Sequence, residues 1–304
     1  MRFRQWRTVI VRAVQDVNRN HTLAFAAALS YYFVMAFFPA LIALAAIIAY
    51  LPIPNLFNTM VGTLSRVMPP ESMGLVRKVV AEIITPNRGA LLSFGLLGTL
   101  WSASGGFASM IEALNVAYDI PETRPFWKTR LLALELTFEV GTLILFAFSV
   151  MIVGPQFGEY LAGHMGFSWA FAVVWPYLRY TIAIAFVVLA VEGLYFIGPN
   201  VKQRFRDTLP GSVLAVLGWI LLSTLLSLYV HHVANLNKTY GVLGGGIALL
   251  LWMYWSSFTV LIGAELNSEI IQERGDGRLA LKQPPPAKVE PHPATTAEEA
   301  KPAA

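Results

Sequence analysis

Long uncharged stretches, separated by short polar segments, dominate the hydrophobic pattern of this chain. The clearest stretch runs from Tyr240 to Ala264, where 25 residues carry no charged side chain. A helix of about 20 apolar residues crosses the hydrocarbon core of a bilayer. Along the chain, this criterion predicts an all-α, polytopic membrane domain at 22–272. Its six transmembrane helices are predicted at about 23–50, 90–111, 131–154, 170–197, 210–230 and 240–264.

Three segments outside these helices show other patterns. In residues 1–21, five arginines alternate with apolar residues at helical spacing, which predicts a basic amphipathic helix on the inner membrane surface. Residues 51–89 form a predicted periplasmic loop, with two short amphipathic helices around 55–67 and 71–84. Residues 273–304 are rich in proline and alanine and cannot build a core, so we expect a disordered cytoplasmic tail.

Composition supports a membrane protein and excludes several kinds of chemistry. Charged residues make up 13% of the chain, against about a quarter in soluble domains. The absence of cysteine excludes disulfides and Cys-based metal sites, and the five histidines lack the spacing of a helical metal pair. Motifs of nucleotide-binding, metalloprotease and serine hydrolase sites are also absent. We therefore expect no metal, no cofactor, no nucleic acid partner and no enzymatic activity.

The distribution of lysine and arginine predicts the orientation of the chain. With the N-terminus inside, 16 of the 22 basic residues lie on inner loops and termini, five lie on outer loops, and Arg179 lies within a span. Cytoplasmic loops of membrane proteins carry an excess of basic residues. The sequence therefore predicts that both termini are cytoplasmic.

Ionisable residues inside the predicted spans are the main candidates for function, because each costs about 2.5–3.5 kcal/mol at the bilayer centre. Glu135 and Glu139 lie four residues apart and share a helix face, which Thr142 continues. The rise per residue of a helix places Arg179 and Glu139 at different depths in the membrane, too far apart for an ion pair. Glu192 lies at a depth similar to that of Glu135, which suggests an acidic inner vestibule. Two alternatives are left open for the carboxylates: they line a proton-coupled or substrate path, or they make structural hydrogen bonds. Arg179 could in the second case simply extend to the outer headgroups.

Small residues are concentrated in two of the predicted spans. A small residue at every fourth position predicts a seam for close helix contact, and a glycine cluster at the start of a helix allows a neighbour to approach. The residues are Gly98, Ser102 and Gly106 in the second span, and Gly241, Gly244, Gly245 and Gly246 in the sixth.

Several short blocks resemble those of the BrkB/YihY family of bacterial inner-membrane proteins. They include Asn-Lys-Thr-Tyr-Gly-Val-Leu-Gly-Gly at 237–245, Gly-Ala-Glu-Leu-Asn at 263–267, Glu-Thr-Arg-Pro-Phe-Trp-Lys at 122–128, Gly-Pro-Asn at 198–200 and Leu-Pro-Gly at 209–211. The resemblance covers about residues 5–272 and implies a six-helix, multi-pass protein of the bacterial cytoplasmic (inner) membrane. It also implies, loosely, roles in the envelope and in the export or flipping of amphipathic molecules.

Members of that family have also carried a ribonuclease BN label, which this sequence does not support. A two-metal hydrolase needs several His and Asp ligands brought together, and no histidine-rich cluster such as HxHxDH is present. Ribonuclease activity is therefore the third hypothesis.

The leading hypothesis is a transporter or flippase-like exporter of an amphipathic or lipid-like molecule. Polar faces of the first, third and fourth spans, with Tyr31 and Tyr32 in the first, would line the path, and Glu135 or Glu139 would titrate. The expected partners are membrane lipids and a lipophilic or amphipathic small molecule, and the sequence leaves a homo-oligomer open. The alternative is a non-transporting membrane scaffold involved in envelope integrity.

Overall fold

The computed structural model describes residues 3–50, 61–65, 68, 70–83, 89–165, 168–229, 243–274 and 281–282. Within these ranges the structure is all-helical apart from an isolated bridge between Val201 and Leu281. The helices that we number are α1 Phe3–Arg19, α2 Thr22–Tyr50, α3 Pro70–Ile83, α4 Gly89–Ala117, α5 Phe126–Met165, α6 Ser168–Ile197, α7 Phe205–Tyr229 and α8 Leu243–Arg274.

Five of the described helices are long and apolar enough to cross a membrane. These candidate spans are Thr22–Leu41, Phe126–Gly158, Val173–Ile197, Phe205–Tyr229 and Leu243–Arg274. The chain is therefore an all-α membrane protein with several apolar helices. The remaining predicted span, 90–111, falls within the 29-residue helix α4, which is not among the five.

Two membrane helices, α5 and α8, continue ten or more residues beyond their predicted ends at 154 and 264. Helix α5 has 40 residues and continues through Pro155, where the sequence suggested an end at Gly154. Helices in membranes tolerate proline because neighbouring groups compensate for the lost backbone hydrogen bond. Helix α8 continues to Arg274, because Leu266 and Ile270 in its polar final turns are buried in a cluster with α1.

The hydrophobic core lies between the long helices. Six helices contribute buried side chains to one cluster, which includes Leu29, Leu114, Leu136, Tyr195, Ala215 and Leu261. Helix α8 has the largest buried share of the five candidate spans, and α5 has the smallest. The last helix is therefore central, whereas α5, which packs antiparallel to α6, lies at an edge of the bundle.

The amphipathic helix α1 packs against the end of α8. Val9 is fully buried and shares a cluster with Leu266 and Ile270 of α8. A second apolar strip, which includes Ile10 and Val14, stays 52% and 62% exposed. One face of α1 is thus held by protein, and another is left uncovered.

The two groups of small residues that the sequence singled out occupy different contacts. A Cβ on Gly98 would lie 3.7 Å from the Cβ of Pro39, and one on Gly106 would lie 3.5 Å from that of Tyr32, so both face α2. Ser102, between them, is half-buried. In α8, Gly244 and Gly245 are buried, Gly246 is half-buried with open space around it, and Gly241 lies outside the described residues.

Helix α3 covers the beginning of α8. Met73 and Val76 are buried with Leu249, and the Ser72 hydroxyl donates a hydrogen bond to the Gly245 carbonyl at 3.2 Å. Of the predicted helix at 55–67, residues 61–64 are helical, and most of the rest lies outside the described residues. In the predicted tail at 273–304, α8 continues to Arg274 and Leu281–Lys282 lie against the α6–α7 loop, whereas the other residues lie outside the described ranges.

Candidate functional site

A polar network joins the α4–α5 loop to the α6–α7 loop at one end of the bundle. The Asn115 side chain, which is buried, accepts a hydrogen bond from the backbone N–H of Asn200 at 2.9 Å and donates one to Glu122 at 2.7 Å. The Asn200 amide in turn donates to the Thr123 hydroxyl at 2.7 Å. These side chains fix the two loops against each other.

Arg124 is the charged bridge of this network. Its guanidinium donates to both carboxylate oxygens of Glu122, at 2.9 and 2.7 Å, and to the carbonyl of Gly198 at 2.9 Å. The side chain is only 6% exposed. Burial raises the pKa of Glu122, but the hydrogen bonds and charge of Arg124, with the Asn115 amide, outweigh it and hold that pKa below its ordinary value.

A cavity of about 360 Å³ opens beside Arg124. It lies at the end of the bundle that the sequence predicts to be cytoplasmic, and we therefore call it the inner cavity. It is lined by Arg124, Lys128, Leu131, Leu132, Glu135, Ile197 and Lys282. Lys282 reaches it from the C-terminal segment, where its backbone N–H donates to the Asn200 carbonyl at 3.1 Å. The Lys282 ammonium donates to the carbonyls of Phe196 and Ile197, at 2.9 and 3.2 Å, and so binds the C-terminal end of α6.

Glu135 and Glu139 lie on the α5 face that leads from the inner cavity. Glu135 is exposed and lines the cavity, and Glu139 is half-buried one turn further along. Among the residues that the structure describes, the buried Oε2 of Glu139 has no hydrogen-bond partner. A Cβ on Gly193 of α6 would overlap the Glu139 carboxylate, so the absence of a side chain there makes room for it. Thr142 is exposed on the same helix.

Arg179 lies at the other end of the α5–α6 pair. It packs over Gly154, and its Nε is buried without a hydrogen-bond partner in the described part of the chain. Gly154 is 15 residues beyond Glu139 on α5, which corresponds to roughly 22 Å along the helix axis. The geometry separates Arg179 from Glu139, in keeping with the argument from helix rise.

The structure does not bring Glu192 together with the other two carboxylates. Glu192 is fully buried and accepts hydrogen bonds from Thr208 and from Ser212, the latter at 2.6 Å. Both hydroxyls belong to α7, so this carboxylate connects α6 to α7. The hydrogen bonds of Glu192 thus go to α7, and an acidic inner vestibule shared with Glu135 stays a prediction.

Tyr31 and Tyr32 lie away from these carboxylates. They are 57% and 38% exposed on α2, with their rings in edge contact at 5.7 Å between centroids. Tyr32 also faces Gly106 of α4. The structure thus places the tyrosines beside α4, and the α5–α6 pair holds Glu135, Glu139 and Arg179.

Sequence reasoning missed a group of polar contacts made by α8. The Asn20 amide lies 3.2 Å from both oxygens of Glu265, and the Thr22 hydroxyl donates to the same carboxylate at 3.0 Å. Asn267 accepts from the backbone N–H of Gly211 and donates to the Thr208 carbonyl, both at 2.8 Å. The blocks at 209–211 and 263–267 contained the signal, but their partners are distant in sequence.

Comparison with known proteins gives several matches over most of the chain. Residues 13–288 match the family model described as Virulence factor BrkB. The chain is 36% identical over 242 residues to the "Putative ribonuclease-like protein YfkH" of Bacillus subtilis, which covers 80% of this chain and 87% of that protein. It is 25% and 26% identical to proteins named "UPF0761 membrane protein" from Chromohalobacter salexigens and Alkalilimnicola ehrlichii.

The two UPF0761 proteins are longer than the part that they share with this chain. The alignments cover 89% and 83% of this chain, but only 66% and 56% of those proteins. No solved structure matches the chain.

Proposed function

The chain belongs to the Virulence factor BrkB family of membrane proteins, as its sequence blocks predicted, and from this premise we propose that it transports an amphipathic or lipid-like molecule across the bacterial cytoplasmic membrane. The observation that carries this proposal is Glu139, an ionisable side chain within a membrane span with a buried oxygen that has no partner among the described residues. Such residues are costly and mark substrate or proton pathways.

The surroundings of Glu139 support a path at the edge of the bundle. Helix α5 has the smallest buried share of the candidate spans, and Phe138, Leu145 and Phe146 of that helix are more than half exposed. Glu135, Glu139 and Thr142 therefore form a polar line flanked by side chains that can face lipid. A polar headgroup could move along this line while its apolar part stays in the bilayer.

Replacement of Glu139 by glutamine should slow proton-driven transport without unfolding the protein. The amide keeps the size of the carboxyl group but cannot titrate, and we expect the transport rate to fall by about tenfold, the change that corresponds to a loss of 1.4 kcal/mol. The measurement is proton-gradient-driven movement of fluorescent amphipathic lipids in liposomes that contain the purified chain. Glu112→Gln is the matched control, because Glu112 is an exposed carboxylate of α4 outside this face.

Other outcomes of this experiment would change the proposal. If wild-type liposomes move no amphipathic molecule at any proton gradient, the non-transporting scaffold becomes the better proposal. If wild type transports and Glu139→Gln transports equally well, transport stands and Glu139 has no part in it. The ribonuclease-like name belongs to the Bacillus subtilis relative, and metal-dependent RNA cleavage by this pure protein would be needed to extend it here.

We further propose that α4 is a sixth span and that both termini are cytoplasmic. In support, α4 has 29 residues and contributes Leu114 to the same buried cluster as five other long helices. The basic residues favour this orientation.

Single cysteines test this topology directly, because the chain has none of its own. A membrane-impermeant thiol reagent added to spheroplasts should label Ser65→Cys and should leave Gln15→Cys and Pro121→Cys unlabelled until the membrane is opened. All three positions are exposed in the structure, so a lack of labelling reports sidedness. Labelling of Pro121→Cys from outside would show that α4 does not cross.

A further inference from the structure

We propose that the inner cavity is a binding site for the phosphate of an anionic lipid headgroup. The proposal concerns a bound lipid of the inner leaflet and so rests on the orientation proposed above. It stands apart from the transport function, because it requires neither Glu139 nor movement of the lipid. It is carried by the charge, the free hydrogen-bond donors and the position of the cavity.

The cavity collects positive charge from three separate parts of the chain. Arg124 comes from the α4–α5 loop, Lys128 from the first turn of α5 and Lys282 from the C-terminal segment, whereas Glu135 is the one carboxylate among the lining residues. Glu122 neutralises Arg124. Among the described residues, no carboxylate lies within ion-pair distance of Lys128 or Lys282. At least one positive charge is therefore left over for an anion.

The basic side chains also retain donors. The Lys282 ammonium uses two of its three N–H groups on the Phe196 and Ile197 carbonyls. The Lys128 ammonium lies 5.4 Å from the centre of the Trp127 ring, a contact that leaves its N–H groups available. Arg124 donates to Glu122 and to the Gly198 carbonyl through Nε and one terminal nitrogen, so its other terminal nitrogen is available as a donor. Phosphate oxygens are suitable acceptors for such groups.

The position of the cavity favours a lipid over a soluble anion. Phe126, Trp127 and Leu131 are 82%, 58% and 58% exposed around the start of α5, next to the cavity. Exposed aromatic side chains at the end of a membrane helix lie at the level of the headgroups. Basic pockets between helices on the cytoplasmic side bind anionic headgroups. The apolar wall of Leu131, Leu132 and Ile197 would contact the acyl chains next to the headgroup.

The ionisation of Lys282 fits an anion in this place. Burial, and then the charge of Arg124, lower the pKa of the Lys282 ammonium to about 8. The groups that line the cavity with it are Arg124, Lys128 and Glu135. A phosphate would favour the charged ammonium and raise that pKa, so binding should weaken as the pH rises through about 8.

Lipid binding by the purified full-length chain tests the proposal. We would titrate the protein in detergent with phosphatidylglycerol and with phosphatidylcholine, and count bound lipids by native mass spectrometry. Wild type should prefer phosphatidylglycerol, and the double variant Lys128→Gln/Lys282→Gln should bind it roughly 30-fold more weakly, about fivefold for each basic residue that is removed. Arg124 is kept in all variants because it holds the loops together.

The controls separate a lipid site from general attraction and from damage to the fold. Lys202→Gln removes one positive charge, as Lys128→Gln does, from an exposed position of the α6–α7 loop outside the cavity lining, and it should leave the affinity unchanged. Lys128→Gln alone removes a side chain without a recorded hydrogen bond, so its effect on binding does not depend on the docking of the C-terminal segment. Unchanged phosphatidylglycerol affinity in both cavity variants would overturn the proposal. Binding of inorganic phosphate without binding of phosphatidylglycerol would also overturn it in favour of a soluble anion.

Discussion

Replacing Gly211 with alanine is expected to lower the thermal unfolding midpoint of the purified protein by about 10 °C. Overpacking costs about 1–3 kcal/mol, and the loss of buried hydrogen bonds adds to this cost. Each kcal/mol of lost stability lowers the midpoint by about 2–4 °C. A Cβ at this position would overlap the Gly263 carbonyl of α8 and would lie 2.5 Å from Cγ of Asn267. The obstacle is backbone, so the two helices must move apart. Asn267 would then lose its 2.8 Å hydrogen bonds to the Gly211 N–H and the Thr208 carbonyl.

Gly218→Ala provides the matched control on the same helix. Its Cβ would meet only the Thr259 methyl group of α8, at 3.4 Å, a contact that a small adjustment accommodates. Alanine is a better helix former than glycine by about 1 kcal/mol, so this variant should be at least as stable as wild type. The measurement is a detergent thermal-shift series with all three proteins. Equal midpoints for Gly211→Ala and Gly218→Ala would show that the α7–α8 crossing is not as tight as the structure describes.

This crossing shows which packing contacts the sequence could and could not reveal. Spacing by four residues singled out Gly98 and Gly106, and the structure places both against α2. Gly211 and Gly263 belong to different helices, and no periodic pattern relates them. A close contact between two helices depends on residues of both. A periodic pattern identifies the small residues on one helix, but it does not identify the residues that they contact on the other.

The α5–α6 pair illustrates a different difficulty. Gly154 and Gly158 have the same four-residue spacing, and they make room for Arg179 and Trp175, which are also four apart on α6. Pro155 lies between the two glycines, and the predicted third span ended at Gly154, so that Gly158 fell outside it. The predicted bounds therefore left out a small-residue seam that continues along the membrane helix.

The sequence predicted only those parts of the candidate site whose residues are close together along the chain. Glu135 and Glu139 share a face because they are four residues apart in one helix, and that needed no tertiary information. The inner cavity combines Arg124 and Lys128 with Lys282, more than 150 residues away and in a tail that composition assigned to disorder. Composition averages over the tail, so it does not reveal that two of its residues dock by backbone contacts and by the hydrogen bonds of the Lys282 ammonium to the end of α6.

Arg124→Ala should release the two loops that form this end of the bundle. The variant leaves Glu122 without its bidentate partner and the Gly198 carbonyl without its donor. Breaking a buried charge pair costs about 3–5 kcal/mol, and Glu122 is partly exposed, so we expect about 3 kcal/mol and a roughly 100-fold faster amide exchange in the loops. Hydrogen–deuterium exchange of the peptides that contain residues 118–125 and 198–204 measures this. Lys202→Ala changes an exposed side chain of the α6–α7 loop, and the amide hydrogens of this variant should exchange as fast as those of wild type.

The same bridge predicts how these loops respond to acid. Because the pKa of Glu122 is below its ordinary value of 4.5 in the folded protein, its contribution is fully present above that pH and is lost as the pH falls through the lower value. Without Arg124 the main remaining effect on Glu122 is burial, which favours the neutral acid, so acid should no longer loosen the loops. Protection relative to unfolded peptide, compared at about pH 6 and about pH 4, should therefore fall in wild type and stay level in Arg124→Ala. Equal acid sensitivity in the two proteins would show that a different carboxylate controls the loops.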